Sequence, residues 1–366
     1  MKFTADRNEL RAALESCLKV VDKKPQMPLL THVRVEVKGA LLTLTATNLR
    51  EEVTTSIAVR KGTDGATCLK ASELATRVSA MPEGDVLASA KDDKVEIKSA
   101  ARKRKFVLSC LPAEDFPAVQ KPSGTKVQIA ANLIARMVRD IRSSVNPEVS
   151  AGTTHNALLD FSATTALMAG TDARRLSISA VKHECAEPVS AKIPLSGVIA
   201  LQDVAEKSGD AKATVTINDA RVFFKAGRTL LTITQGENDF PPYRNVIPKT
   251  QPTKLEVPRS ELLESVKSLM VATNANGTLA MAVDGEQLVL SCPDGSGEDV
   301  LSVTAKKSGA AVKLGLNGAY LADALSMLES DDVTISLGDE LDPVIVKPKK
   351  KGEYAERLAL VMPIRI

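Results

Sequence analysis

The fold is decided by one stretch, residues 254–273, which reads KLEVPRSELLESVKSLMVAT. Alternating apolar and polar residues over 254–257 predict a half-buried strand. Pro258 ends this strand, and Ser260 with the nearby Glu264 is typical of a helix start. The next apolar residues have helical spacing along one face, and they are Leu262, Leu263, Val266, Leu269 and Met270. The stretch therefore predicts a strand followed by a helix, a β-α repeat.

The same plan occurs twice more in the chain. KVQIAANLIARMVRDIRSSV begins at Lys126 and KFTADRNELRAALESCLKVV begins at Lys2. We expect Asn132 to cap the helix of the former and the polar run 6–8 to start that of the latter. A weaker second set, at residues 67–81, 191–205 and 312–328, also pairs a short strand with a helix. The chain therefore contains six β-α repeats at intervals of about 60 residues.

Alternating, β-branched segments follow each helix and predict about three antiparallel strands per repeat. Two repeats make a domain in which two helices pack on antiparallel sheets, which is an α+β fold. Polar stretches rich in proline or glycine at 121–124 and 248–252 indicate the boundaries. These follow two similar phrases, LPAEDFP at 111–117 and GENDFPPYRNVIP at 236–248. We predict three domains, with the boundaries 1–122, 123–251 and 252–366.

Composition favours an intracellular globular protein. The 366 residues are 44% apolar and 25% charged, which is typical of folded rather than disordered chains. No run approaches the roughly 18 apolar residues of a membrane helix, and the N-terminus lacks a secretory signal pattern. Five cysteines without ligand spacing indicate reduced thiols. We therefore predict a cytoplasmic protein.

The sequence shows no active site, metal site or cofactor motif. Its three histidines, His32, His155 and His183, are too dispersed for a metal centre. A nucleophile elbow, a P-loop and a dinucleotide-binding glycine motif are all lacking. The densest polar cluster is TDARRL at 171–176. A catalytic Asp172 would need a partner acid or a metal ligand, so we favour a turn in which Asp172 caps backbone donors.

The exposed faces of the predicted helices carry repeated basic residues. Lys and Arg total 48 against 45 Asp and Glu, and this net charge of +3 gives no strong global field. A solvated surface would explain basic residues on any single helix. Their recurrence favours contacts with nucleic-acid phosphates, which are blind to sequence and sensitive to salt. The residues are Arg7, Arg11, Lys19, Lys24, Arg77, Arg136, Arg139, Arg142, Lys207 and Lys267.

Seven short motifs have an order and spacing that resemble a known family. They are MKFTADRNEL at 1–10, PLLTHV at 28–33, LTATNLREEV at 44–53, LSCLPAEDFP at 108–117, TDARRL at 171–176, DFPPYRNVIP at 239–248 and VMPIRI at 361–366. With these motifs the whole chain resembles the bacterial DNA polymerase III beta subunits, the sliding clamps. The resemblance implies a non-catalytic, head-to-tail homodimeric ring whose helices surround duplex DNA at the nucleoid. The partners it implies are duplex DNA, a second copy, the replicative polymerase catalytic subunit, the clamp loader, and other polymerases and repair proteins with short clamp-binding peptides.

The resemblance also implies a dimer interface formed by two edge strands. These would be residues 105–109 of one copy and 298–304 of the other, and the basic run 102–105 would face acidic residues of the partner. The implied interface residues are Lys103, Lys105, Phe106, Leu108, Leu269, Met270, Glu298 and Asp299.

A partner-peptide pocket between the second and third domains is implied as well. Its residues would be Thr171, Ala173, Arg174, Arg175, Leu176, Pro241, Asn245, Val246, Asn317, Tyr320, Leu341, Leu360, Met362, Pro363, Ile364 and Arg365. The sequence departs from the family at Ala173 and Arg174, where Gly-His is frequent, and at His155, where an apolar residue is frequent. Residues 146–154 lack the aromatic side chains that some members present to DNA.

Two other functions are compatible with the residues. One is an enzyme with its active site in the TDARRL turn. The other is a repeat scaffold that binds only protein.

Overall fold

The computed structural model describes residues 1–22, 27–145, 155–273, 277–284, 286–307, 312–350 and 352–366. The chain forms two compact units. Unit 1 consists of Met1–Ala135 and Ser196–Gln235, and unit 2 consists of Arg136–Leu195 and Gly236–Ile366.

Six α-helices lie within the described residues, and each begins where a strand ends. They are α1 (Arg7–Val20), α2 (Ala71–Ser79), α3 (Ala131–Ile141), α4 (Leu195–Ser208), α5 (Arg259–Leu269) and α6 (Gly318–Met327). The start of α1 is as predicted, since Asp6 Oδ1 accepts hydrogen bonds from the N–H groups of Asn8 at 2.8 Å and Glu9 at 3.1 Å.

Two predicted helix starts are wrong. Asn132 lies inside the first turn of α3, which begins at Ala131, and its Nδ2 donates to Asp210 Oδ1. Ser260 lies inside α5, whose N-cap position is taken by Pro258 at φ −58°. In α5 the N–H of Arg259 donates to the Asp331 carbonyl at 2.8 Å, which satisfies the first donor of the helix without a side-chain cap.

The strands follow the helices in the predicted pattern. The first two repeats contain β1 (Lys2–Asp6), β2 (His32–Lys38), β3 (Leu41–Thr47), β4 (Glu51–Ala58), β5 (Lys61–Thr63), β6 (Gly65–Lys70), β7 (Asp85–Lys91), β8 (Lys94–Ser99) and β9 (Lys105–Leu111). The middle two contain β10 (Thr125–Ala130), β11 (Asn156–Phe161), β12 (Thr165–Thr171), β13 (Arg175–Lys182), β14 (Val189–Pro194), β15 (Lys212–Ile217), β16 (Arg221–Ala226) and β17 (Thr229–Thr234). The last two contain β18 (Thr253–Pro258), β19 (Thr278–Asp284), β20 (Gln287–Ser291), β21 (Glu298–Ser302), β22 (Thr304–Lys307), β23 (Val312–Asn317), β24 (Asp332–Leu337), β25 (Val344–Pro348) and β26 (Tyr354–Val361).

This order confirms the α+β class and the sixfold repeat. Each repeat has a strand, a helix and three further strands, and the short strands β5 and β22 are additions. Every pairing between described strands is antiparallel, for example β3 with β4. Near the predicted boundaries, residues 112–124 and 235–252 lie outside the strands and α-helices, although Tyr243–Val246 forms a 3-10 helix. The division into three domains stays a prediction.

In the described part of unit 1, thirteen strands form one sheet in the order β10-β15-β16-β17-β4-β3-β2-β6-β9-β8-β7-β1-β5. Strands β17 and β4, which are far apart in the sequence, pair in this sheet, so that Ile233 faces Glu51 and Thr229 faces Thr55. The hydroxyls of Thr55 and Thr229 are 2.9 Å apart across this junction. Strands from the first and second thirds of the sequence therefore share one sheet.

In the described part of unit 2, nine strands form a sheet in the order β14-β11-β12-β13-β26-β25-β24-β18-β22. Four more form a second sheet in the order β21-β20-β19-β23. Strand β13 pairs with β26, so that Arg175 faces Val361 and Leu176 faces Leu360. A buried aliphatic cluster lies at this junction and consists of Leu167, Ala169, Leu176, Ile178, Ala180, Ile345, Leu358 and Leu360.

The helices are held by aliphatic cores, as expected for a chain with 3% aromatic residues. In unit 2, Leu262 and Val266 of α5 and Leu321 and Leu325 of α6 are fully buried in one cluster. Burying each such side chain contributes about 1.5–3 kcal/mol. Among the described residues, no helix combines the length and the apolar character that crossing a membrane requires.

Candidate functional site

The TDARRL turn joins β12 to β13 in unit 2. Oδ1 of Asp172 accepts hydrogen bonds from the N–H groups of Arg174 and Arg175, both at 3.0 Å. The Thr171 hydroxyl donates to the Arg175 carbonyl at 2.7 Å and accepts from the Ala173 N–H at 3.2 Å. The predicted role of Asp172 as a cap for backbone donors is thereby confirmed.

Ala173 has left-handed backbone geometry, with φ +69°. This conformation costs a residue with a Cβ about 1–2 kcal/mol relative to glycine. The turn therefore imposes strain at the position where the sequence departs from the Gly of related motifs.

Arg175 connects the turn to the start of α6. Its Nε is 3.0 Å from Asp172 Oδ2, its Nη1 is 2.5 Å from Asp323 Oδ2, and its guanidinium lies 4.2 Å from the centre of the Tyr320 ring. Asn317 caps α6, since its Oδ1 accepts from the Tyr320 N–H at 3.1 Å. The structure thus brings together three predicted residues, Arg175, Asn317 and Tyr320, and adds Asp323, which follows Tyr320 by one helical turn.

The last residues of the chain extend past β26. The Met362 N–H donates to the Arg174 carbonyl at 2.9 Å, and the Ile364 N–H donates to the Gly315 carbonyl of β23 at 2.8 Å. A Cβ at Gly315 would lie 2.5 Å from the Ile364 oxygen and would also collide with Ile366. Only glycine at this position lets the tail lie against β23.

Residues of the TDARRL turn, of the segment 238–246 and of the chain around Leu360 and Met362 surround a cavity of about 540 Å³ in unit 2. Its size is typical of a small-ligand or short-peptide site. Val246 and Met362 are 51% and 36% exposed, so apolar surface is open to solvent here. The lining residues are Thr171, Ala173, Arg175, Leu176, Asn238, Asp239, Pro241, Pro242, Tyr243, Asn245, Val246, Leu360 and Met362.

Nine of the sixteen predicted pocket residues are among these, so most of the predicted wall converges on one cavity. The other seven do not line it, and they are Arg174, Asn317, Tyr320, Leu341, Pro363, Ile364 and Arg365. Leu341 is 57% exposed, in the connection between β24 and β25.

The prediction missed four lining residues, Asn238, Asp239, Pro242 and Tyr243. All four belong to the phrase GENDFPPYRNVIP at 236–248. Its similarity to the phrase LPAEDFP at 111–117 was the sequence signal that could have indicated them. The ring of Tyr243 packs edge-on against Phe240 at 5.7 Å between centroids. Burial raises the pKa of Tyr243, so its phenol stays neutral at this wall.

The predicted basic residues of unit 1 differ in their contacts. Arg7 Nη2 donates to the Ser79 carbonyl at 2.8 Å, and the Arg77 guanidinium lies 5.3 Å from the centre of the Phe106 ring. Arg11 Nε is 3.5 Å from Glu15 Oε1, and Lys207 Nζ is 2.9 Å from Asp203 Oδ2. Lys19 is exposed, and Lys24 lies outside the described residues.

In unit 2, two predicted basic residues on α3 form ion pairs with exposed glutamates. Arg136 Nη1 is 2.8 Å from Glu353 Oε2, and Arg139 Nη1 is 3.5 Å from Glu329 Oε1. Arg142, just after α3, and Lys267 of α5 are exposed. The role of all these residues in DNA binding stays a prediction.

Within the described part of the chain, each of the two predicted interface strands has one side without a partner strand. In β9, residues 105–109 pair with β8, and only Cys110 and Leu111 pair with β6. Among the described strands, β21 pairs only with β20. Each therefore presents free backbone groups along one edge.

The predicted interface side chains differ in exposure. Lys103, Lys105 and Glu298 are exposed, whereas Phe106, Met270 and Asp299 are partly buried. Leu108 and Leu269, at 5% and 7% exposure, are buried in their own units and offer little surface. The prediction omitted Val107 and Val300, which are 54% and 48% exposed on β9 and β21.

Among the residues described, no group of three or more His, Cys, Asp or Glu side chains is arranged to hold a metal ion.

Comparisons with known proteins agree with this architecture. The family model for the DNA polymerase III beta subunit, N-terminal domain, matches residues 1–120, and that for the C-terminal domain matches residues 244–365. The beta sliding clamp of Escherichia coli K12 is 26% identical over 373 residues, with all of both chains covered.

Solved structures of sliding clamps have the same fold. The DnaN sliding clamp of Pseudomonas aeruginosa bound to griselimycin has a TM-score of 0.92 at 21% identity, with both chains fully covered. That of Bartonella birtlesii bound to griselimycin has a TM-score of 0.90 at 25% identity, again over both full chains. Because two family models together match most of the sequence, and relatives align over its full length, the chain belongs to the DNA polymerase III beta subunit family, the beta sliding clamps.

Proposed function

We propose that this protein is a non-catalytic processivity clamp for DNA replication. Two copies join head to tail in a ring around duplex DNA, and the cavity of unit 2 binds a short peptide of the replicative polymerase. The clamp loader and other polymerases and repair proteins use the same cavity. The domains 1–122, 123–251 and 252–366 of two copies then make six similar segments of the ring.

The observation that carries this proposal is the cavity that converges on Met362. Its floor is apolar, with Leu176 and Leu360 buried at 1% and 2% exposure. The polar residues Thr171 and Asn245 also line it. Such a surface suits an extended peptide with apolar anchors, and Met362 supplies adaptable contacts for several peptides. The griselimycin complexes of related clamps support a ligand site on this fold.

The ring is supported by the two open strand edges. The basic run 102–105 ends at the first residue of β9, and β21 begins with Glu298 and Asp299. Pairing β9 of one copy with β21 of the other satisfies both edges and joins opposite charges. Two such contacts close the ring under twofold rotation.

The DNA contact is supported by basic residues on several helices. Arg11, Lys19, Arg142 and Lys267 all have exposed side chains. Contacts from such residues to phosphates carry no sequence information, as a sliding protein requires. Each lost phosphate contact would reduce the log–log salt slope by about 0.9 on duplex DNA.

The test is topological. The clamp, loaded by its loader onto nicked circular DNA, should co-elute with the circle in gel filtration and should be released when the circle is cut once. Equal retention on circular and linear DNA, or none on either, would contradict a ring. The second outcome would favour a scaffold that binds only protein.

The interface is tested by Phe106→Asp. Burying an aromatic side chain contributes roughly 1.5–3 kcal/mol, and a stranded charge removes more. We expect the wild type to sediment as a dimer and this variant as a monomer at micromolar concentration. Val119→Asp, at a 40% exposed position outside the strands, is the matched control and should stay dimeric. A fully dimeric Phe106→Asp protein would place the interface elsewhere.

A further inference from the structure

We propose that Glu329 and Glu353 compete with DNA phosphates for Arg139 and Arg136, and so keep the clamp's hold on duplex DNA weak. The inference rests on the proposed function, because it assumes that the exposed face of α3 meets DNA.

The geometry pairs one face of α3 with glutamates from other elements. Arg136 and Arg139 are three residues apart and therefore lie on the same face of the helix. Arg136 Nη1 is 2.8 Å from Glu353 Oε2, and Arg139 Nη1 is 3.5 Å from Glu329 Oε1. Glu353 precedes β26, and Glu329 follows α6. The tertiary fold, rather than helix spacing, thus supplies each arginine with a carboxylate.

Both pairs are open to solvent. The side chains of Arg136 and Glu353 are 38% and 77% exposed, and those of Arg139 and Glu329 are 52% and 58% exposed. Exposed ion pairs contribute little to stability, because water screens them and two long side chains lose freedom. A DNA phosphate accepts two hydrogen bonds from a guanidinium and can therefore replace either carboxylate.

A neighbouring ion pair shows the contrast. Arg357 Nη2 is 2.6 Å from Asp140 Oδ1, with side chains 3% and 2% exposed, and the Ser179 hydroxyl donates to Asp140 Oδ2 at 2.7 Å. This pair is sealed inside unit 2 and fixes β26 to α3. Arg357 Nη1 also lies 4.0 Å from Glu329 Oε2. The positive charge of the buried arginine therefore stays near Glu329 when Arg139 turns to a phosphate.

The consequence is a reduced gain from each DNA contact. Arg136 and Arg139 must give up a carboxylate before they bind a phosphate, and the freed glutamates then stand beside the DNA and repel it. Both effects weaken attachment without removing the arginines. A ring that stays on DNA by enclosure has no need of tight contacts and moves faster with loose ones.

The test uses the intact protein and a fluorescein-labelled 30-base-pair duplex. Affinity is measured by anisotropy over a series of NaCl concentrations, and each variant is checked by a melting curve. In Glu329→Gln/Glu353→Gln we expect binding to tighten by about two- to fivefold for each glutamate at low salt. Glu184→Gln/Glu187→Gln, in the exposed loop between β13 and β14, changes the net charge equally and is the control. Its affinity should stay within experimental error of the wild type.

Equal tightening in both double variants would reduce the effect to net charge and overturn the inference. Unchanged affinity in Glu329→Gln/Glu353→Gln would overturn it as well. The variant Arg136→Gln/Arg139→Gln separates this failure from a failure of the proposed function. If it weakens DNA binding while the glutamate variant does nothing, only the competition is wrong. If neither variant changes the affinity, α3 does not face DNA, and the proposed channel fails with the inference.

Discussion

Two turns, one in each unit, share a hydrogen-bond pattern and differ in what surrounds them. In unit 1 the Thr47 hydroxyl donates to the Glu51 carbonyl at 2.9 Å, as Thr171 does to Arg175 in unit 2 at 2.7 Å. Leu49, with φ +75°, takes the left-handed position that Ala173 takes in the other turn. The two turns therefore have the same backbone frame.

The strand that follows each turn pairs with an equivalent strand, β4 with β17 in unit 1 and β13 with β26 in unit 2. In unit 1 the Thr234 N–H donates to the Arg50 carbonyl at 2.8 Å, and in unit 2 the Met362 N–H donates to the Arg174 carbonyl at 2.9 Å. The two repeats thus share these main-chain hydrogen bonds although their sequences have little in common.

The difference lies in the segment that follows the DFP phrase. In unit 1 Phe116 is buried at 7% exposure, and the Gln120 N–H donates to Glu52 Oε1 at 3.3 Å, so the segment packs down on the sheet. In unit 2 Phe240 is only partly buried, and the residues after it line the cavity. The same turn geometry therefore occurs beside a closed junction in unit 1 and beside an open cavity in unit 2. The difference is how closely the segment after the DFP phrase packs against the sheet.

The side chain that starts the second strand of each turn differs as well. Glu51, at 2% exposure, accepts from Ser196 Oγ at 2.5 Å and from Asn48 Nδ2 at 2.7 Å. Its counterpart Arg175 instead reaches Asp323 and the Tyr320 ring at the edge of the cavity. The closed junction uses a short internal network, and the open site uses a long, largely buried side chain that reaches across to α6.

The largest expected effect separates the two phenylalanines. Phe116→Ala should lower the free energy of unfolding by about 3–5 kcal/mol, because it leaves a cavity in a packed site. Phe240→Ala should cost about half of that, because its ring is partly exposed, yet it should weaken peptide binding by loosening the Tyr243 wall. Urea denaturation beside a peptide titration measures both. Similar stability losses in the two variants would show that the segments are packed alike.

Removing residues 362–366 should abolish peptide binding. The truncation removes one wall of the cavity. Interface residues of this kind contribute about 2–4 kcal/mol of binding free energy, so the Kd should rise by about 100-fold or more. The main-chain hydrogen bonds from Met362 to Arg174 and from Ile364 to Gly315 disappear with it, which costs roughly 1–3 kcal/mol of stability. Dimerisation should be unchanged.

Met362→Ala refines this test, and Met27→Ala, at a 47% exposed position in unit 1, is its control. The first should weaken peptide binding with little change in Tm, and the second should change neither. Unimpaired affinity in the truncated protein would contradict the pocket, and parallel losses of Tm and affinity in Met362→Ala would mean that the tail only seals the core.

Glu52 gives a smaller, pH-dependent contrast, since its counterpart in unit 2 is the apolar Leu176. Burial raises the pKa of Glu52 above its ordinary value of 4.5, and the hydrogen bond from the Gln120 N–H, with a smaller effect of Arg221, offsets part of this shift. The folded state thus favours the neutral acid, and stability is lost as the pH rises through 4.5 toward the folded value. We expect Glu52→Gln to raise Tm at pH 7 and to have little effect at pH 4. Glu237→Gln, at an exposed position, should be neutral at both pH values, and a lower Tm for Glu52→Gln at pH 7 would mean that the ionised form is stabilised.

The smallest effect concerns the left-handed residues. Ala173→Gly and Leu49→Gly should each stabilise the protein by about 0.5–1 kcal/mol, because glycine adopts φ near +70° without a Cβ clash. Ala118→Gly, in a loop outside the left-handed residues, should instead destabilise by a similar amount. Equal losses in all three would show that neither turn is strained.

Local patterns in the sequence were sufficient to predict the repeat and much of the site. Helical spacing and alternation gave six β-α repeats, because each depends on neighbours within one element. The Asp172 cap was also visible, since Asx side chains bond to donors two and three residues ahead.

Other features depend on contacts between distant residues, which no local pattern encodes. The pairings of β4 with β17 and of β13 with β26 join strands from different thirds of the chain. Phe116 and Phe240 stand in the same phrase yet differ in burial, because the surrounding fold decides how deep each ring lies. The glutamate partners of Arg136 and Arg139 come from segments far along the chain for the same reason.

The pairing of distant strands also determines when each strand can find its partner during translation. About 170 residues separate the end of β4 from the start of β17, and a similar number separate β13 from β26. At about 5–20 residues per second, a ribosome takes roughly 10–35 s to supply each missing partner. During that interval β4 and β13 are unpaired edges, open to the same strands of neighbouring nascent chains. Nascent copies on one message are therefore most at risk of mispairing at these two strands.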